Sequence, residues 1–107
     1  MTTWLITRHP GARQWIAGQP LAIDRYCDHL DPSEVRAGDV VVGALPVHLA
    51  AAVCANGARY LNLCVDLPAD VRGKELTTEE LLRFNARIQE FHVTPVDGIP
   101  LPPCPHD

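Results

Sequence analysis

The sequence predicts a single small α/β domain built on an open, mainly parallel β-sheet. Short β-prone runs alternate along the chain with segments of helical pattern, as in proteins whose parallel strands are joined by helices. The clearest such unit runs from Asp39 to Leu67, where a strand, an apolar helix and a second strand follow one another. A chain of 107 residues has room for one domain of this kind.

The first third of the chain predicts a strand, a helix and a weaker strand. Thr3–Thr7 is β-prone and is followed by an Arg-His-Pro-Gly sequence that ends it. Ala12–Ala17 then has a helical pattern and is ended by Gly18. A poorly patterned strand is expected from Asp24 to Leu30, and Asp31–Glu34 is expected to form a turn or a single helical turn.

The central unit is predicted from stronger signals. Val40–Val42 is the clearest strand, and Leu45-Pro46 begins a helix because proline suits the first helical position. Val47–Ala55 is almost wholly apolar, and Asn56-Gly57 provides a left-handed stop. Arg59–Val65 is expected to be the next strand, parallel to the preceding one.

A last helix is predicted near residue 80. Thr77 and Glu80 have the spacing of a capping box, which marks a helix N-terminus. Apolar residues then follow at helical spacing: Leu81, Phe84, Ile88 and Phe91. An edge strand is expected at 92–94. We place the α/β domain at residues 1–99 and an extended, proline-rich C-terminal tail at 100–107.

Composition and charge exclude several classes of protein. With 47% apolar and 21% charged residues, the chain is typical of a folded domain. No apolar run approaches the ~20 residues of a membrane span, and residues 1–6 lack the pattern of a secretion signal. We therefore expect a cytoplasmic protein with no membrane partner. The net charge of −4 argues against a non-specific binder of duplex nucleic acid.

Motif searches exclude several kinds of site. The four cysteines and five histidines show no metal-ligand spacing, so we expect no metal site and no cofactor. The chain also lacks the glycine motifs of dinucleotide-binding and Walker-type sites and the G-x-S-x-G motif of hydrolases.

Three polar or proline-marked segments follow predicted strands. In an open α/β sheet, ligands bind outside the carboxyl ends of the strands, so these segments are expected to converge there. Helix N-termini at the same edge attract anions, and phosphate is the natural ligand. The candidate residues are Thr7, Arg8, His9, Pro10, Gly11 and Ala12 in the first segment, Leu45, Pro46 and His48 in the second, and Asp66 and Arg72 in the third.

Each of the polar candidates also has a structural interpretation. Arg8 can form an ordinary ion pair at a strand end, and His9 can serve only to shape the turn before Pro10. His48 can be a solvent-facing helix residue, and Asp66 can cap a helix or pair with Arg72. These alternatives stay open at the level of sequence.

The chain resembles a family of small CRISPR-associated proteins called Csx-sixteen, found beside type III CRISPR systems. The similarity covers about residues 3–92 in an order of blocks that is specific. The blocks are Thr3–Ala12, His29–Asp31, Gly38–Gly43, Leu45–Ala50, Ala58–Leu61, Asp66–Ala69 and Arg72–Leu76.

The resemblance implies a CARF-like Rossmannoid homodimer that acts as a ring nuclease on cyclic oligoadenylate, chiefly the four-adenylate ring. In such a reaction a ribose 2′-hydroxyl attacks the adjacent phosphate without a metal ion. Arg8 would then hold the phosphate, and His9 or His48 would assist proton transfer. A non-catalytic sensor or sponge for the same ring is the main alternative. A phosphomonoesterase is a third interpretation, because Arg8-His9 is similar to the start of histidine phosphatases, although Pro10 replaces their glycine.

Overall fold

Strands and helices alternate along the chain as the sequence predicts. The computed structural model describes residues 1–71, 76–96 and 98. The regular elements are β1 (Thr3–Ile6), α1 (Pro10–Ala17), β2 (Arg25–Cys27), β3 (Val40–Gly43), α2 (Val47–Ala55), β4 (Arg59–Cys64), α3 (Thr78–Arg83) and β5 (Arg87–Phe91), with 3₁₀ turns at Pro32–Glu34 and Ala69–Val71.

The strands form one sheet in the order β2-β1-β3-β4-β5. The first four strands are parallel, and β5 runs antiparallel to β4. The chain moves from β1 outward to β2 and then back across β1 to β3, so the order of strands reverses between β1 and β3. This is the doubly wound, Rossmann-like arrangement, and it confirms the predicted open, mainly parallel α/β sheet.

Helices cover both faces of the sheet, and each face has its own apolar core. On one face, α2 packs its Val53 against Trp4, Val41 and Tyr60 from three neighbouring strands. On the other face, Ala12, Trp15 and Ile16 of α1 pack against the strands together with Leu81 of α3. The strand residues of this core are Leu5, Val40 and Val42. Alternation along each strand sends successive side chains to opposite cores, which is why the central strands are apolar throughout.

Most element boundaries lie within two residues of the predicted ones. Helix α1 begins at Pro10, two residues before the predicted start, while Pro46 precedes α2 instead of forming its first residue. Gly57 has φ +86°, and the amide of Ala58 donates to the carbonyl of Val53 at 3.3 Å. These features confirm the predicted left-handed stop of α2.

Strand β2 is shorter than predicted. Residues 24–30 were expected to be extended, but only Arg25–Cys27 pairs with β1. The last register pair joins Ile6 to Cys27, where β1 also ends. Residues 28–30 therefore belong to the loop at the carboxyl edge of the sheet, because no strand remains beside them to pair with.

The prediction of one long helix at the end of the domain is wrong. Helix α3 stops at Arg83, and Asn85, with φ 58°, reverses the chain. The amide of Ala86 donates to the Leu81 carbonyl at 2.9 Å, which completes a helix-ending motif with asparagine at the left-handed position. Ile88 and Phe91 therefore lie in β5, and the strand expected at 92–94 occurs five residues earlier.

Two predictions lie outside the described residues. These are the proline-rich tail at 100–107 and the position of Arg72. Among the helices that the described segments form, none has the length and apolar character that crossing a bilayer requires.

Candidate functional site

A cavity of about 630 Å³ opens at the carboxyl edge of the sheet. It lies where the strand order reverses between β1 and β3, which is the position at which doubly wound sheets bind ligands. Segments that follow four of the strands contribute to its wall. Its lining includes Thr7, Arg8, His9 and Ala12 after β1, Asp28, His29 and Leu30 after β2, Gly43 at the end of β3 with Ala44, Leu45, Pro46 and Leu49 after it, and Val65 and Leu67 after β4.

The predicted convergence of three segments is observed in large part. The first two segments both line the cavity, and Leu67 represents the third. The cavity lining does not include Pro10, Gly11, His48 or Asp66. The sequence thus located the edge of the sheet that holds the cavity, but not every side chain that faces it.

Gly43 permits the close approach of β3 to β1 at the base of the cavity. It is the register partner of Ile6. A Cβ atom on Gly43 would lie 2.6 Å from the carbonyl oxygen of Ile6, which is closer than real contacts allow. The glycine is needed here because the opposing atom belongs to a strand backbone that cannot move aside.

Arg8 supplies a guanidinium group to the cavity. Its side chain is exposed and lies two residues beyond the end of β1. No described residue forms a hydrogen bond or an ion pair with it, so the ordinary strand-end ion pair is not found within the described segments. A guanidinium in this setting can bind two oxygen atoms of an anion at once.

His9 lies beside Arg8 and precedes the first turn of α1. Its backbone amide donates to the Thr7 hydroxyl at 3.1 Å, and its carbonyl accepts from Ala12 at 3.1 Å. The Ala12 amide, at the helix N-terminus where the sequence predicts anion binding, is therefore already used within the turn. Gly11 has a packing role, because a Cβ atom there would overlap the carbonyl oxygen of Leu76.

His48 and Asp66 lie away from the cavity. His48 is exposed in the first turn of α2. The Asp66 carboxylate accepts hydrogen bonds from Asn85 Nδ2 and from the Arg87 guanidinium, both at 3.1 Å. These partners lower the pKa of Asp66, with Asn85 as the larger cause. Asp66 thus connects the end of β4 to the start of β5.

The loop after β2 is the part of the site that sequence reasoning missed. His29 lines the cavity, together with Asp28. The weak pattern of β2 hid its end, and the adjacency of β2 to β1 was not predicted. Once the strand order is known, the loop after β2 must lie beside the loop after β1, because parallel strands end at the same edge.

Arg13 of α1 connects these two loops. Its guanidinium donates to the Thr7 carbonyl at 3.4 Å and forms an ion pair with the Asp28 carboxylate at 3.1 Å. The same group lies 5.5 Å from the centre of the Tyr26 ring. One side chain therefore holds the loop after β2 against the loop after β1.

Tyr60 holds in place the segment after β3, which lines the cavity. Its hydroxyl accepts a hydrogen bond from the Leu45 amide at 2.9 Å and donates to Asn62 Oδ1, with the Gly43 carbonyl at 3.3 Å. Burial raises the pKa of this phenol, so it stays neutral and able to donate. The segment after β3 is held by a side chain from β4.

Few of the described residues that line the cavity are charged or titratable. Among the described lining residues, the charged or titratable side chains are Arg8, His9, Asp28 and His29, and most of the others are apolar. Such a surface can bind an anionic group at one end and an apolar ring at the other. Within the described segments, no group of three or more His, Cys, Asp or Glu side chains could hold a metal ion.

Comparison with known proteins gives one match. Residues 4–94 match the model of a family described as "Putative CRISPR-associated protein (Cas_VVA1548)". No curated protein and no solved structure matches the chain. The match covers most of the 107 residues and includes all the strands and helices described above except Thr3, the first residue of β1. The chain therefore belongs to the Cas_VVA1548 family of CRISPR-associated proteins.

Proposed function

We propose that this protein binds cyclic oligoadenylate, chiefly the four-adenylate ring, and cleaves it in the cytoplasm, ending type III CRISPR signalling. Membership of a CRISPR-associated family supports a role in this defence. The finer assignment rests on the resemblance to the Csx-sixteen proteins and on the chemistry of the cavity.

The observation that carries the proposal is the position of Arg8. A guanidinium with no ion-pair partner among the described residues lines a cavity at the switch point of the sheet. An unpaired arginine in a cleft is suited to bidentate recognition of phosphate. The apolar side chains that line the same cavity are suited to the flat face of an adenine base.

The proposed reaction needs few groups. The ribose 2′-oxygen forms a bond to the adjacent phosphorus, the bond from phosphorus to the 5′-oxygen breaks, and a 2′,3′-cyclic phosphate remains. The protein holds the attacking and leaving oxygens in line, and Arg8 stabilises the charge that grows on the phosphoryl oxygens. His9, which lines the cavity, is better placed for proton transfer than His48, which does not.

Binding without cleavage is the second candidate function. The separation of His48 from the cavity favours it, since one of the three predicted catalytic side chains does not line the site. The same anion site would then serve a sensor or a sponge. Both functions need the ring to bind, and they differ only in whether a linear product forms.

We further propose that two copies of the chain bind one ring across a two-fold axis. A cavity of about 630 Å³ at one end of a small domain is too small to enclose a ring of four nucleotides. Two-fold pairs are the commonest oligomers, and the ring itself is symmetric. Light scattering with and without the ring tests this, and a monomer under both conditions contradicts it.

The decisive experiment incubates the purified protein with cyclic tetra-adenylate and separates the products by chromatography. A linear product with a 2′,3′-cyclic phosphate end supports the nuclease, and activity that persists in EDTA supports the metal-independent route. Ring binding in a titration without any linear product supports the sensor or sponge. Release of inorganic phosphate would point to a phosphomonoesterase, and neither binding nor product would refute both candidate functions.

A further inference from the structure

We propose that His29 is a catalytic residue of this site, acting with His9 as the second of two proton-transfer groups and held in place by Arg13. The inference rests on the proposed function. It adds His29, from the loop after β2, to the residues proposed to act in the reaction.

His29 and Arg8 follow the ends of two adjacent strands and line the same cavity. Ile6 and Cys27 are register partners at the ends of β1 and β2. The Thr7 amide donates to the Cys27 carbonyl at 3.0 Å, which is the last hydrogen bond of this parallel ladder. Arg8 lies two residues after Ile6, and His29 lies two residues after Cys27, so the two follow adjacent strand ends. Both side chains line the same cavity.

Arg13 makes this placement a fixed one. Its contacts to the Thr7 carbonyl and the Asp28 carboxylate join the residue before Arg8 to the residue before His29. Because Arg13 forms an ion pair with the Asp28 carboxylate, the neighbouring imidazole of His29 does not have to pair with that carboxylate. Arg13 is thus a positioning residue, which acts through the loop that presents His29.

Two histidines can carry out both proton transfers that the proposed reaction needs. The imidazole of one takes the proton of the attacking 2′-hydroxyl, and the imidazolium of the other gives a proton to the leaving 5′-oxygen. Arg8 meanwhile compensates the charge on the phosphoryl oxygens. Two histidines can exchange these protons without a metal ion or any further reactant, and each such transfer contributes roughly 100-fold or more to the rate.

The surroundings of His29 define what a pH profile will report. Within the described lining, the facing titratable or charged groups are Arg8 and His9 from the segment after β1 and Asp28 from its own loop, with Arg13 bound to Asp28. Of the described residues in the segments after β3 and β4, those that line the cavity have uncharged side chains. A reaction that needs one histidine as a base and another as an acid has a rate that is highest at intermediate pH, which gives a bell-shaped profile.

The test is single-turnover cleavage of cyclic tetra-adenylate across pH 5 to about 9, a range that spans histidine titration. Wild type is expected to give a bell-shaped profile. His29→Gln is expected to lose one limb of the bell and to cleave roughly 100-fold more slowly. Ring binding and thermal stability should stay unchanged. His92→Gln is the matched control, because His92 is exposed and follows β5 outside the cavity.

The Arg13 variant tests the positioning role. Arg13→Ala is expected to lower the rate roughly 10- to 100-fold across the whole profile while keeping both limbs, because both histidines remain. Arg83→Ala, an exposed arginine in α3, is the control. Added imidazole should partly restore His29→Ala and leave Arg13→Ala unchanged.

The outcomes separate this inference from the proposed function. Cleavage by wild type with an unaltered profile in His29→Gln overturns the role of His29 and leaves the nuclease intact. The absence of cleavage by wild type under all conditions overturns both. Loss of ring binding in His29→Gln, with the bell shape kept, would assign His29 to binding and refute proton transfer.

Discussion

The carboxylate of Asp39 accepts a hydrogen bond from Trp4 Nε1 at 3.2 Å, and both residues are buried, with 6% and 2% of their surface exposed. The same carboxylate accepts from the Thr2 amide at 3.0 Å and from the Arg36 amide at 3.1 Å. Asp39 thereby joins the amino ends of β1 and β3, at the edge of the sheet opposite the cavity.

Replacing Asp39 by alanine should lower the free energy of unfolding by about 3 kcal/mol, because three N–H donors lose their acceptor. Chemical denaturation monitored by tryptophan fluorescence measures the change. Glu79→Ala is the control, since this exposed helix residue should change the free energy of unfolding little. An Asp39→Ala protein as stable as wild type would contradict the structural role of the carboxylate.

The lowered pKa of Asp39 predicts that the folded protein loses stability in acid. Hydrogen bonds from Thr2 and then Arg36 hold the pKa of this carboxyl below its ordinary value of 3.8. The stabilisation is therefore complete above about pH 4 and is lost as the pH falls through the lowered folded-state pKa. The gap in unfolding free energy between wild type and Asp39→Asn should narrow below about pH 4. If this difference in unfolding free energy stays constant down to about pH 2, ionisation of Asp39 does not contribute to the stability of the fold.

Gly43→Ala should destabilise the sheet at the base of the cavity. The added Cβ would meet the Ile6 carbonyl oxygen at 2.6 Å, so β1 and β3 would have to separate. We expect a cost of roughly 2 kcal/mol in unfolding free energy. Gly18→Ala is the matched control, because its Cβ would lie 3.5 Å from the nearest backbone atom, an ordinary contact. Equal melting temperatures for the two variants would be the contrary result.

Tyr60→Phe should loosen the segment after β3. The Leu45 amide would lose its acceptor at 2.9 Å, and the expected cost is about 1 to 2 kcal/mol. Hydrogen exchange should become faster at the Leu45 amide while the amides of α1 stay protected. Tyr26→Phe is the control, because Tyr26 is 50% exposed and its hydroxyl has no hydrogen-bond partner in the described structure. Unchanged exchange at Leu45 would show that another group satisfies the amide.

Arg8→Ala should slow ring cleavage by roughly 100-fold, equivalent to about 2.7 kcal/mol of transition-state stabilisation. Arg8→Lys should restore only part of the rate, since an ammonium cannot reproduce the bidentate geometry. Single-turnover kinetics measure both, with circular dichroism to verify folding. Arg36→Ala is the control, because this exposed arginine precedes β3 at the opposite edge of the sheet. A folded Arg8→Ala protein that cleaves at the wild-type rate would remove Arg8 from the site.

The central β-α-β unit was predictable because its signals are local. The apolar run of Val47–Ala55 and the glycine at position 57 specify where α2 lies and where it ends, without reference to the rest of the chain. The capping box of Thr77 and Glu80 marks the start of α3 in the same way. Arg8 and Leu45 were placed at the cavity by one further rule, that parallel strands end at a common edge.

Strand β5 was not predictable because its pattern fits two structures. Ile88 and Phe91 continue the helical spacing of Leu81, yet their backbone groups find partners along β4, from Tyr60 to Cys64. That pairing joins residues 23 to 31 positions apart, so no local window reveals it. The local signal for the break was Asn85, because asparagine accepts the left-handed conformation that ends α3.

The sequence contains what depends on neighbours along the chain: the strands β1, β3 and β4, the limits of α2, and the edge of the sheet that holds the cavity. Tertiary structure adds what depends on strands that meet in space. The placement of β2 beside β1 brings His29 to the cavity that Arg8 also lines, the Arg13 guanidinium reaches Asp28, and the Tyr60 hydroxyl reaches Leu45. Such contacts follow from sheet order and register, which arise when distant segments pack together, so their residues have no distinguishing pattern in the chain.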